Sequence, residues 1–222
     1  MNLRPLSMLE ARALGVLVEK AITVPDSYPL SLNALVLGCN QKTARDPVTA
    51  ADEAEVQEAV DGLKRLSLAF ETSGSRVSRY EHNLGRALGL PSQSTALLAV
   101  LMLRGPQTAS ELRMNAERLH RFADASSVEG FLEELAARPA EKGGPLALKL
   151  PRAPGARESR WAHLLSGMPE VPSAASMASS ATARSVDALE VLQAEQVVLR
   201  AELLELRREV EHLYAELGVR RG

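Results

Sequence analysis

The sequence is poor in cysteine, in aromatic rings and in charge of a single sign. A lone cysteine, Cys39, rules out an internal disulfide and a cysteine-rich zinc site. Aromatic residues make up only 3% of the chain. A core therefore has to be built from Leu, Val and Ala, and Leu and Ala are strong helix formers. No apolar stretch reaches the length of about 20 residues that a membrane-spanning helix needs. The longest run, "ALLAVLML" at 96–103, suits a buried helix. Near the N-terminus, Glu10 and Arg12 interrupt any signal-peptide core, so a cytoplasmic protein is expected. Net charge is −2, which excludes a polycation and makes any nucleic-acid surface a local one. Residues 91–165 are slightly basic, with 10 basic and 8 acidic side chains against 10 and 11 in residues 1–90.

Catalytic signatures are missing as well. There is no Gly-rich phosphate loop, no nucleophile elbow and no metal-ligand spacing. His82, His120, His163 and His212 lie far apart. We expect no enzyme, no cofactor and no metal.

What is present is a repeat. "SRYEHNL" (78–84) returns as "SRWAHLL" (159–165), so that Ser, Arg, an aromatic, His and a final Leu recur at matched offsets. Helix openings of the form Ser/Thr-x-x-Glu, in which a hydroxyl and a carboxylate satisfy free backbone N–H groups, occur at 7–10, 108–111 and 126–129. A weaker version stands at 49–52, so Thr49 is expected to open a helix. The first copy reads as helices over about 8–21, 32–39 and 50–66, then two strands around Ser73-Gly74-Ser75. The second copy reads as the 95–103 helix, helices opening at Thr108 and Ser126, then a hairpin from "PLALKL" (145–150) to "SRWAHLL". Three helices followed by a hairpin is the winged helix-turn-helix plan. The expected class is mainly α with small β-hairpins (α+β), as two tandem winged helix-turn-helix domains, 1–86 and 87–165.

The stretches "YPLSLNALVLGCNQKTARDPV", "GSRVSRYEHNLG" and "LLAVLMLRGPQTASELRMNAERLHRFAD" resemble the YceH-like family of uncharacterised bacterial proteins. The resemblance covers about residues 7–165. It implies two winged-helix domains and, by analogy of fold, regulatory DNA binding.

Beyond them, 166–184 is Pro/Ser/Ala-rich and reads as a flexible linker. Residues 185–218 carry heptads. The seam is Leu189, Leu192, Gln196, Leu199, Leu203, Leu206, Val210, Leu213 and Leu217. Glu195 and Glu202 face Arg200 and Arg207 only in a parallel pair, so a parallel coiled-coil homodimer is expected.

In a DNA-reading winged helix the third helix enters the major groove. Here that helix is acidic in both copies, with Asp52, Glu53, Glu55, Glu58 and Asp61 in the first and Glu129, Glu133 and Glu134 in the second. The cations lie in turns and hairpins instead: Lys42, Arg45, Arg76, Arg79, Arg113, Arg118, Arg121, Lys149, Arg152 and Arg157. These are the candidate contacts to the DNA backbone. Two functions fit: a dimeric regulator that binds double-stranded DNA, or an adaptor that binds a basic protein partner through the acidic helices. No membrane partner is expected. The turn "NQKTARDP" (40–47) poses the sharpest question, because Asn40 can end a helix while Lys42 and Arg45 can either serve that helix end or face a phosphate.

Overall fold

The computed structural model describes residues 4–72 and 77–169. Arg76, residues 170–184 of the linker and the whole heptad segment lie outside the described residues, as do all nine seam positions.

The architecture is mixed: helices with small antiparallel sheets. The first half runs α1 (Met8–Thr23), β1 (Leu30–Ser31), α2 (Leu32–Cys39), α3 (Glu53–Arg65), β2 (Ala69–Thr72) and β3 (Arg79–His82). A short α4 (Leu84–Leu88) leads into the second half: α5 (Ser92–Arg104), α6 (Ala109–Asn115), α7 (Ala125–Ala136), β4 (Ala147–Lys149) and β5 (Trp161–His163). The first sheet has the order β1-β3-β2, and β4 pairs with β5.

One continuous core joins the halves. In α1 every residue from Glu10 to Val18 is buried, and in α5 every residue from Ser94 to Leu103. A helix buried all round, even at Glu10 and Arg12, has neighbours on more than one side. Here α1 packs on α2 and α3 with one face and on α5 with another. The approach of α1 to α5 is close enough that a Cβ at Gly15 would stand 2.9 Å from Leu103 Cγ.

Helix starts follow local chemistry where one cap is available. Ser7 with Glu10 opens α1, and Thr108 with Glu111 opens α6, each as a reciprocal capping box. Two starts differ from expectation. Asp52, not Thr49, caps α3 together with Glu55, because the Thr49 hydroxyl donates to the Cys39 carbonyl (2.9 Å) and to Asn40 Oδ1 (3.2 Å). Asp124, not Ser126, opens α7, with Ser127 as its reciprocal partner.

The recurring Ser-Arg-aromatic-x-His pattern has a structural meaning. Arg79 Nη1 donates to the Pro29 carbonyl (2.8 Å), and Arg160 Nη1 donates to the Pro106 carbonyl (2.7 Å). Each arginine ties its strand to the backbone just before the half's second helix. Tyr80 pairs with Leu30, and Trp161 bridges to Gln107 at the corresponding place. Both rings are buried. Ser31 then caps α2 as Thr108 caps α6.

Candidate functional site

The turn after α2 is fixed from inside. Asn40 ends α2 and also spans the turn: its Nδ2 donates to the Ala51 carbonyl (2.7 Å), and its Oδ1 accepts from Ala51 N (2.9 Å). The Arg45 side chain has no solvent exposure. Its guanidinium donates to both Glu19 carboxylate oxygens (3.2 and 2.6 Å), to Gly38 O (3.0 Å) and to Ala44 O (2.9 Å). Burial pushes the Glu19 carboxyl up. The Arg45 hydrogen bonds and charge, with Lys20 nearby, outweigh that and leave it below the usual carboxylate range. Arg45 therefore leaves the set of surface cations, and its work is to hold the turn on α1. Arg12, also buried, donates from Nη2 to the Pro47 carbonyl (2.6 Å) and anchors the same turn. Lys42 remains exposed on it.

The other candidates fall into separate groups. Arg79 is exposed, but one end of its guanidinium is held by Pro29. Arg113 and Arg121 line a groove of about 470 Å³ with Met114, Glu117, Phe122 and Ala123. Arg113 Nη2 donates to the Ala123 carbonyl (3.1 Å), and Arg121 faces Glu117 at 3.7 Å. Arg118 is exposed.

Lys149, Arg152 and Arg157 come together. They line a cleft of about 390 Å³ between the second hairpin and the first turns of α6 and α7, with Ala109, Ser110, Ala125, Ser126, Glu129, Glu158 and Ser159. The small residues at the helix starts leave that backbone within reach. Lys149 Nζ sits 2.7 Å from Glu129 Oε1 and 5.3 Å from the centroid of the Trp161 ring. The hydrogen bond to Glu129 holds the ammonium above the usual lysine range. Ser110 Oγ lies 3.2 Å from Glu158 Oε1. Arg152 and Arg157 are exposed and make no ion pair among the described residues. The cations are legible in the sequence but the cleft is not, since Glu129 on α7 meets Lys149, and Ser110 on α6 meets Glu158, only on folding.

Among the described residues no group of three or more His, Cys, Asp or Glu is placed to hold a metal ion, and no helix is long and apolar enough to cross a membrane. His82 and His163 occupy matching ends of β3 and β5, each with Nδ1 buried and unpartnered. Burial alone pushes both imidazoles down, His163 to about 4.

Fold and cleft together define a protein of mixed helices and small sheets with a polar, cation-bearing crevice at its second hairpin. The chain belongs to the family described as "Protein of unknown function, DUF480", which residues 6–156 match. It is similar to a UPF0502 protein of Methylibium petroleiphilum, with 64% identity over 98% of this chain and 92% of the relative. UPF0502 proteins of Burkholderia pseudomallei (strain 668) and Leptothrix cholodnii are 61% and 60% identical, covering 98% and 97% of this chain and 91% and 97% of their own lengths.

Proposed function

We propose that this protein is a regulatory protein that binds double-stranded DNA, with α1–β3 and α5–β5 as two winged helix-turn-helix units. The second unit meets the phosphate backbone through its hairpin, and the heptad segment at 185–218 joins two chains in parallel. One observation carries this reading: Lys149, Arg152 and Arg157 converge on the cleft that also receives the first turns of α6 and α7. Hairpin and helix start are where such a unit touches DNA, and two of the three cations, Arg152 and Arg157, make no ion pair among the described residues.

A salt titration of binding to random-sequence duplex DNA tests it. Three phosphates per cleft give a slope of log affinity against log salt near about −3. Absence of binding at about 50 mM salt would exclude the reading. The protein-adaptor alternative draws on exposed Leu37, Val48 and Phe70 in the first half, beside an acidic α3. It expects that absence.

A further inference from the structure

The fifth residue of the third helix faces the hairpin in both halves, but its surroundings differ. In α3 it is Gln57, and both ends of its amide are used internally: Nε2 donates to Asp61 Oδ2 (3.1 Å), and Oε1 accepts from the Tyr80 hydroxyl (3.0 Å). In α7 it is Glu129. The strand aromatic there is Trp161, which has no hydroxyl to offer, and its buried Nε1 has no partner. Among the described residues Glu129 makes one side-chain hydrogen bond, to the Lys149 ammonium. Both side chains of that pair are close to half exposed, at 42% and 46%. An ion pair so open to water is weak and readily exchanged.

From this contrast we propose that Glu129 is the base-reading residue of the cleft, an acceptor for the N4 amine of cytosine that is uncovered when a DNA phosphate takes over Lys149. The inference rests on the DNA-binding reading above. A carboxylate only accepts. In the major groove the exocyclic donors are cytosine N4 and adenine N6, and adenine sets the N7 acceptor beside its amine, where it repels a carboxylate. Cytosine is the base that fits. Ser126 and Gly130, close to Glu129 on α7, are small and exposed, and the Glu129 side chain keeps 42% exposure in the cleft. An acidic third helix, which opposes insertion along its full length, thus becomes a selective contact at its first turns.

The test is selection of bound duplexes from a randomised DNA pool by the full chain, followed by sequencing, alongside affinity for random-sequence duplex. The expected result for the wild type is one position enriched in cytosine over thymine by about tenfold. Glu129→Gln should move that position to adenine, because an amide donates and accepts as adenine N7 and N6 require, with affinity for random duplex retained or raised. Lys149→Met should keep the cytosine preference and lower affinity for every sequence. Binding to random duplex without an enriched base, or a cytosine preference unchanged in Glu129→Gln, overturns the assignment alone. Failure to bind random duplex overturns it together with the DNA-binding reading.

Discussion

Replacing Arg45 by Ala separates the two roles its sequence position allows. A surface cation facing a phosphate can be removed with little effect on stability. The residue seen here cannot. Its guanidinium has no exposure, and its removal strips the bidentate partner from Glu19, whose side chain is 14% exposed, leaving it Lys20, and strips donors from Gly38 O and Ala44 O. Breaking one side of a buried pair costs on the order of 3–5 kcal/mol, and the residual exposure of Glu19 places this case at the lower end, about 3 kcal/mol. With a urea m-value of about 2 kcal/mol/M, the unfolding midpoint should fall by roughly 1.5 M at neutral pH. The loss should also depend on pH. Arg45 holds the folded Glu19 pKa below its unfolded value. Its contribution is therefore complete above the unfolded carboxylate range near about 4.3 and is lost as pH falls through the folded pKa. In the variant, burial opposed by Lys20 alone, 3.2 Å from Glu19, raises the Glu19 pKa, so acid relieves a poorly compensated charge. The gap between wild type and Arg45→Ala should narrow below about pH 4. A midpoint shift under about 0.3 M, equal at pH 7 and at pH 4, would refute the structural role.

Other perturbations follow from the same contacts. A methyl group at Gly38, a buried position, would lie 2.5 Å from Val16 Cγ1, so Gly38→Ala should destabilise by about 1 kcal/mol net, overpacking exceeding the gain in helix propensity. A raised melting temperature would contradict this. His163 titrates at about 4 when folded and near about 6.5 when unfolded, so between those values the unfolded chain binds the extra proton and stability falls as pH falls. The span corresponds to at most about 3 kcal/mol, and urea melts from pH 7 to pH 4 should show that part of the slope vanish in His163→Gln. An unchanged slope would show that the ring is already charged in the fold.

Much of the fold could be read from the chain because its signals are local. The extents of α1 and α2 follow from a capping residue and an apolar run, the first hairpin from strand-like runs beside turn residues, and the second from the alternation of Leu146, Leu148 and Leu150. Local reading failed where two caps compete within a few residues. Thr49 lost to Asp52 because its hydroxyl was claimed by the end of α2, a contact ten residues back. Strand β1 has two residues and no periodicity of its own, and only the pairing of Leu30 with Tyr80 makes it a strand. The site was legible in the same uneven way. Clustered cations beside a hairpin signal marked Lys149, Arg152 and Arg157. Arg45 was misplaced because Glu19, its partner, stands 26 residues earlier on a helix whose buried face included charged positions. Glu129 reads as one more acid on an acidic helix, since nothing local shows that Lys149 reaches it.

Fluorescence anisotropy of labelled random-sequence duplex DNA, titrated with wild type and with Arg152→Glu/Arg157→Glu at low salt, addresses the cleft most directly. Both side chains are exposed and unpaired among the described residues, so the variant should unfold at the wild-type urea midpoint. The expected result is saturable binding by the wild type and a loss of at least about a hundredfold in the variant, given two phosphate contacts turned into repulsions. Equal affinity of the two proteins would contradict the assignment of this cleft as the DNA-facing surface.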